Sequence, residues 1–439
     1  MRILSRMASV LQGLLTTTAE EIGESCGLIQ RQREFTASSL VSTFVLGFLQ
    51  RPKPTWEQLA LTARQLGAHV TPQAVLLRVT PQLRDTLRQV WEAAVQCVVV
   101  SESRVTPLLR KFSEILIGDS TTIGLNEALA AEFPGCGGAN NYGRAALKLQ
   151  VVWDYLSGQF RRLTCEAGKQ NDSTSLDQGP CPRRGSLSIF DLGYFSLERF
   201  LRWQQAGVHW ISRGISDLVV WIDEQPHDLH NWLETQPRGP IDQLVKVGTA
   251  KLPCRLLAMR VPPEVSGRRR QKAYEKAAKK GRRPTARHLA TCEWTVFLTS
   301  CSSELLTWQE VVVLYRVRWQ IELLFKLWKS HGLIDAHRSD DPVRQMVEFY
   351  ARLTAVLIQH WLILVTCWPD ERLSLTRISR LVRDQVPQII ATLPRKYDLV
   401  QTLKSWTRSL PGLGRIPSNR AKPGNFELLA DPQRLTYTS

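Results

Sequence analysis

The sequence contains no Cys-x-x-Cys pair, and its nine cysteines are scattered and odd in number. That usage excludes a disulfide framework and a structural zinc site. No apolar run is expected to cross a bilayer. The longest, LTAVLIQHWLILVTCW from Leu353 to Trp368, is interrupted by Gln359 and His360 and reads as a buried helix. After Arg2 and Arg6, the stretch ASVLQGLLTTTAEE lacks both an uninterrupted apolar region and a cleavage site, so no secretory signal is expected. Neither a membrane partner nor an internal repeat is expected, and the chain is expected to be cytoplasmic. Acid is scarce too: 57 Lys and Arg stand against 40 Asp and Glu, a net charge of +17. A pI near 9.7 goes with it. Such an excess points to a polyanionic partner, nucleic acid before an anionic membrane. His227 and His230 form an HxxH pair near acids, which reads as a surface loop rather than a metal site.

At 439 residues and 43% hydrophobic content, the chain should build two or three domains with real cores. Residues 1–105 look helical. Within them, TWEQLALTARQLGAHVTPQAVLLRVTPQL fits a helix-turn-helix or a plain helical hairpin, with Thr55 and Thr71 as caps and a turn at Leu66-Gly67. From about residue 106 to 214 the texture is α/β. EILIGDSTTIGL carries a buried strand ending at Asp119, and LKLQVVWDYLSGQFRRLTC two strands joined by a turn at Ser157-Gly158-Gln159. SLSIFDLGYFSLERFLRWQQAG reads as a strand, then Asp191, then a helix capped by Ser196 and ended by Gly207; VHWISRGI is a further strand. Residues 215–300 mix polar loops with strand texture and hold SGRRRQKAYEKAAKKGRRPTARH, with ten Lys or Arg and one acid. Such a block is expected to be solvated and partly disordered. Residues 301–350 return to the core, 351–410 are helical, and 411–439 form a loosely held tail.

The stretch YRVRWQIELLFKLWK, Tyr315 to Lys329, has one acid among several bases. Wound at about 100° per residue as a single helix, it places Tyr315, Arg318, Glu322, Lys326 and Lys329 within roughly 80° of arc. Ile321, Leu324, Phe325, Leu327 and Trp328 cover the other side. The stripe is either a solvated face with helical ion pairs or part of a site. Asp119 and Asp191 end expected strands, and Glu322 lies on a helix after the sheet. An α/β fold can gather such groups at the carboxyl edge of its sheet. Three adjacent carboxylates repel unless cations separate them. Oxygen ligands of this kind suit Mg²⁺ or Mn²⁺. Two such ions about 3.5–4 Å apart can activate an attacking oxygen and stabilise a leaving one.

Tyr315, Arg318, Glu322 and Lys329 match Y-x2-R-x3-E-x6-K, the signature of the YREK group of bacterial insertion-sequence transposases (insertion-sequence family four). IGDSTTIGL resembles that family's first-aspartate strand, FDLGYFSLERF its second, and WISRGI the strand that follows. FKLWKSHGLIDAHRSDDPVRQMVEFYARLTAVLIQ resembles the continuation after the glutamate. The similarity runs from about residue 35 to 390. It implies an α/β ribonuclease-H-like DDE core with a mixed sheet, interrupted by a mainly β insertion. It further implies helical N-terminal DNA-binding and C-terminal regions. Asp119, Asp191 and Glu322 would be catalytic ligands of two Mg²⁺ (or Mn²⁺) ions. Tyr315, Arg318 and Lys329 would contact DNA phosphates, as would Arg213, for which a structural salt bridge is the alternative. Arg268, Arg269, Arg270, Lys279, Lys280, Arg282 and Arg283 would be further phosphate contacts, unless that run is a solubilising loop. Trp294 would stack on a flipped base, unless it packs the insertion. The implied activity is cut-and-paste transposition by a homodimer on double-stranded DNA, at element ends and target. The rivals are a metal-dependent endonuclease or resolvase on the same fold and a DNA-binding transposition inhibitor.

Overall fold

β-Branched residues in ILIGDSTTIG give the first strand, β1 (Ile115–Gly124). It runs through Asp119 rather than ending there, because Thr121, Thr122 and Ile123 keep pairing with Leu149, Lys148 and Leu147 of β2 (Ala146–Asp154). β3 (Phe160–Ala167) completes an antiparallel meander. The turn before it needs Gly158, whose φ is +74° and whose Cα lies against Leu364 and Trp368 with no room for a side chain. β4 (Leu187–Phe190) and β5 (His209–Arg213) then run parallel to β1. β6 (Val219–Ile222), β7 (Gln225–Asp228), β8 (Ile241–Val247), β9 (Leu252–Arg260) and β10 (Trp294–Thr299) extend the same sheet. Its order is β3-β2-β1-β4-β5-β10-β9-β8-β6-β7, ten strands in all. This computed structural model describes residues 2–31, 33–99, 106–137, 143–215, 217–237, 239–279, 281–336, 339–368, 372–415 and 423–435.

The helices ahead of the sheet are α1 (Arg2–Gly13), α2 (Ala19–Ser25), α3 (Ala37–Gln50), α4 (Trp56–Gln65), α5 (Pro72–Leu76) and α6 (Pro81–Gln96). A π-helical stretch, Leu14–Thr18, joins the first two. Thr55 and Thr71 cap α4 and α5, and Gly67 makes the turn between them at φ +92°. The second member of this pair is a single turn of five residues. α7 (Asp172–Asp177) precedes β4, and α8 (Leu197–Gln205) follows it, capped by Ser196. Between β7 and β10 lie α9 (Leu229–Thr235), α10 (Pro263–Ala278) and α11 (Ala286–Thr291). The span 215–300 is therefore substantially helical as well as stranded. The first part of its basic run does not form a loop: RRRQKAYEKAA contains strong helix formers and winds into α10, while Arg282 and Arg283 lie in an irregular stretch after it.

After the sheet come α12 (Trp308–Val317), α13 (Trp319–Ser330), α14 (Pro342–Cys367), α15 (Leu375–Asp384), α16 (Val386–Thr392), α17 (Lys396–Gly414) and α18 (Asn425–Ala430). The expected single helix over 315–329 is two. At the junction Arg318 N bonds Tyr315 O and Ile321 N bonds Arg318 O, both at 3.2 Å, so the ladder tightens to three-residue steps. α14 carries the apolar run seen in the sequence. It is long and apolar enough to cross a membrane by composition, yet 94% of that window is buried inside the protein. Gln359 and His360 are satisfied there by Ser379 O and Gly158 O. α3, α6 and α17 pack on α14. The N-terminal helices, α14 and one face of the sheet share a continuous apolar core, while the strands of 215–300 build a second one around Trp210, Trp232 and Trp294.

Candidate active site

Asp119 shares the face of β1 that carries Ile115, Ile117 and Ile123, because alternate strand residues point the same way. Its Oδ1 accepts from Ser120 N at 2.8 Å. Asp191 follows β4 directly and opens a short 3₁₀ turn, Leu192–Tyr194. Phe190, just before it, packs its ring where a Cβ on Gly118 would stand, which fixes the two strand ends side by side. Glu322 lies on the first turn of α13. Arg318, at the junction of α12 and α13, faces all three acids. Its Nη2 donates to Glu322 Oε1 at 2.8 Å, and its Nε lies 3.9 Å from Asp191 Oδ1. Its guanidinium is only 14% exposed.

Burial pushes the Asp119 carboxyl up to about 6, and the charges of Asp191 and Glu322 add to this; Ser120 and Arg318 pull the other way. Burial thus outweighs the mutual repulsion of the acids in raising Asp119, and Arg318 offsets part of both. No group of three or more His, Cys, Asp or Glu side chains among the described residues is close enough to hold an ion, since Arg318 stands between Asp191 and Glu322. The donor set nonetheless fits a hard divalent cation: every donor is a carboxylate oxygen, and a cation would offset the cost of ionising the buried Asp119.

Tyr315 is 9% exposed, with its ring 5.0 Å from Phe297. Burial raises its phenol to about 12, against the pull of Arg318 and Arg213. Its hydroxyl, Arg213 Nε and Arg318 Nε are buried without a hydrogen-bond partner among the described residues. Lys329 Nζ donates to Thr122 O at 3.0 Å, tying α13 to β1, and burial lowers its pKa. Arg318 thus links Asp191 and Glu322 and acts electrostatically on Asp119, Tyr315 feels both Arg318 and Arg213, and Lys329 lies on the next turns of α13.

Three expectations change. Trp294 is 2% exposed in the second core, with Arg260 over its ring at 5.1 Å and its carbonyl accepting from Arg269 Nη1. A ring enclosed in this way presents no face to a base and packs the second core, the alternative reading of Trp294. Within the basic run, Arg269 also holds Thr295 Oγ1 at 2.9 Å and Arg270 pairs with Glu293. Both bind the protein itself, while Arg268, Lys279, Arg282 and Arg283 remain exposed; Lys280 lies outside the described residues. The HxxH pair is not a surface loop either. His230 is buried on α9 beside Glu234, and only His227 is exposed.

Sequence reasoning missed two features. Trp319, next to Arg318, leaves its ring 54% exposed, and Leu323 and Leu192 are exposed nearby in sequence to Glu322 and Asp191. An aromatic off the apolar stripe of α13 was the available signal. Tyr194, three residues after Asp191, is buried with its hydroxyl donating to Gln150 Oε1 at 3.1 Å. Gln150 sits opposite Ser120 in the sheet and donates to Asp172. No local pattern marks that link.

A family model described as the transposase DDE domain matches residues 110–358, which contain all three carboxylates. The transposase for insertion sequence element IS231C of Bacillus thuringiensis subsp. berliner is 28% identical over 371 residues, 79% of this chain and 77% of that protein. The IS231B transposase from the same organism is 26% identical over 366 residues, covering 77% and 75%. The transposase for IS1151 of Clostridium perfringens is 26% identical over 283 residues, 56% of each chain. With more than half its length matched by that model, the chain belongs to the DDE-domain transposases.

Proposed function

We propose that this insertion-sequence transposase cuts and joins DNA at the acid cluster of β1, the end of β4 and α13, after binding the terminal inverted repeats of its element. The observation that carries this is Arg318 set among Asp119, Asp191 and Glu322, with the unpartnered polar atoms of Tyr315 and Arg213 beside it. The strand order β3-β2-β1-β4-β5, antiparallel then parallel, supports a ribonuclease-H-like core extended by the strands of 215–300.

Asp119, Asp191 and Glu322 would hold two Mg²⁺ or Mn²⁺ ions. Such ions neutralise a scissile phosphate and make the attacking oxygen more acidic. Arg318 can exchange its carboxylate partners for a phosphate, to which its planar fork binds in bidentate fashion. The Tyr315 hydroxyl stays protonated at neutral pH, so it donates to a phosphate oxygen. Lys329 uses one of three donors on Thr122 O and keeps two for the backbone. Water first attacks the phosphodiester, releasing a 3′-OH. That hydroxyl next attacks the opposite strand, displacing its 3′-oxygen and closing a hairpin; a second water hydrolyses the hairpin bond and restores the 3′-OH, which then attacks the target, again displacing a 3′-oxygen. The exposed ring of Trp319 would serve the distorted DNA at the rim, returning about 1–3 kcal/mol per stacked base. Arg268, Lys279, Arg282 and Arg283 would hold phosphates from α10 and the segment after it. A homodimer would bring two ends together.

The purified chain, incubated with end-containing duplex and Mg²⁺, should cut at the element boundary and yield strand-transfer products. Cutting without transfer at unrelated sequences would instead make it an endonuclease. Binding without any cutting would make it an inhibitor.

A further inference from the structure

Beyond Glu322, cations from two elements converge where α13 ends. Lys326 is exposed on α13, His331 follows its last residue, and Arg380 and Arg383 lie on α15. Arg383 Nη2 donates to His331 O at 2.5 Å, which latches α15 to the end of the catalytic helix. Burial holds the His331 imidazole below its usual range, and Arg380, Arg383 and Lys326 push it further down. Burial and then Arg380 lower the Arg383 guanidinium as well. Among the described residues, Lys326, Arg380 and Arg383 form no ion pair. The acids nearest in sequence, Glu322 and Asp384, stand one helical turn from Lys326 and Arg380, and Asp384 acts on Arg383 against its neighbours.

The negative end of the α13 dipole accounts for one cation at its last carbonyls, and Arg383 fills that role. It does not account for Lys326 and Arg380, which stand in solvent and repel the others. A like-charge group of this kind is stabilised when a polyanion lies on it. These cations continue the line of Arg318 and Lys329 along α13 and carry it onto α15.

We propose that Lys326, Arg380 and Arg383 form a binding site for backbone phosphates of the DNA duplex, extending the DNA path from the catalytic helix onto the C-terminal helices. This rests on the reading of the chain as a transposase acting on duplex DNA. Interactions of this type read no bases, so the site should strengthen binding to any sequence.

The test measures affinity against salt concentration for the full chain and a Lys326→Gln/Arg380→Gln variant, on end-containing and random duplexes of equal length. Removing two cations from the phosphate path should lower the slope of log affinity against log salt by up to roughly 1.8 on both duplexes. Lys326→Arg/Arg380→Lys should restore it. Both side chains are exposed, and matched melting curves show that the neutral variant is folded. If it were not, Arg380→Glu alone should still weaken both duplexes more than Arg380→Lys. An unchanged slope in the folded neutral variant overturns the site. So does saturable binding of inorganic phosphate alone that depends on Arg380, because that marks a small-anion site. Failure of the wild-type chain to cut element ends would count against the transposase reading and leaves this binding measurement separate.

Discussion

Replacing Asp119 with asparagine should make the metal-free protein more stable while destroying its activity. In an unfolded chain this aspartate loses its proton above pH 3.8, whereas the folded protein keeps it until about pH 6. Between those values the native state binds more protons than the unfolded one, so stability falls as pH rises. The cost is absent below pH 3.8 and complete above about pH 6. At about 1.4 kcal/mol per pH unit, that interval amounts to about 3 kcal/mol. Partial solvent access to the carboxyl reduces it to about 2 kcal/mol. Asp119→Asn removes the ionisation and should recover this amount, a rise of a few degrees in Tm for a chain of this size. The assay is thermal melting with chelator present, at pH 8 and at acid pH. The variant should melt higher at pH 8, and the gap should close towards pH 4. Mg²⁺ should raise the Tm of the wild type and not of the variant. If Asp119→Asn melts no higher than wild type at pH 8 without divalent ion, the reasoning that burial of the ionised carboxyl costs stability is wrong.

Asp191→Asn and Glu322→Gln should each abolish cleavage in an end-cutting assay while leaving end binding in a gel-shift assay largely intact; full cutting by either removes that residue from the site. Trp294→Ala should cost about 3–5 kcal/mol in denaturant unfolding, while Trp319→Ala should leave stability within about 0.5 kcal/mol and slow strand joining. The reverse pattern would reassign the two rings. Tyr194→Phe keeps the ring but strands the carbonyl of Gln150, and should lower unfolding free energy by about 1–3 kcal/mol. Neutralising Arg268, Lys279, Arg282 and Arg283 together should flatten the salt dependence of DNA binding by roughly 0.9 for each phosphate no longer neutralised, whereas Arg269→Ala should mainly lower Tm.

Two local patterns were legible in the sequence: Asp191 between a strand and a turn, and Glu322 on a polar stripe opposite five apolar residues. The strands on either side of Ser157-Gly158-Gln159 and the cap at Ser196 were legible because turn and cap chemistry is local. What stayed hidden depends on distant partners. β1 passes Asp119 because β2 offers it a continuing ladder, and no window around Asp119 contains β2. The break at Arg318 comes from hydrogen bonds that shorten to three-residue steps inside an otherwise helical pattern. Trp294 and Trp319 are both tryptophans among polar neighbours, and only packing tells the enclosed ring from the open one. Charge density alone made the basic run look loose, while its alanines and its bonds to Trp294 O, Thr295 and Glu293 make it an ordered helix with a buried edge.

The packing of α3 and α6 on α14 has a consequence for how the protein is made. About 250 residues of chain, including the whole sheet, separate Gln96 from Pro342. At about 5–20 residues per second of synthesis, the early helices wait roughly 12–50 s for the helix that covers them. During that interval their apolar faces are open to chaperones, and the nascent chain carries Asp119 and Asp191 without Glu322. A ribosome that stops before Glu322 therefore releases a product with neither a closed core nor all three carboxylates. The last of the three carboxylates is thus made shortly before α14, the helix that seals the fold.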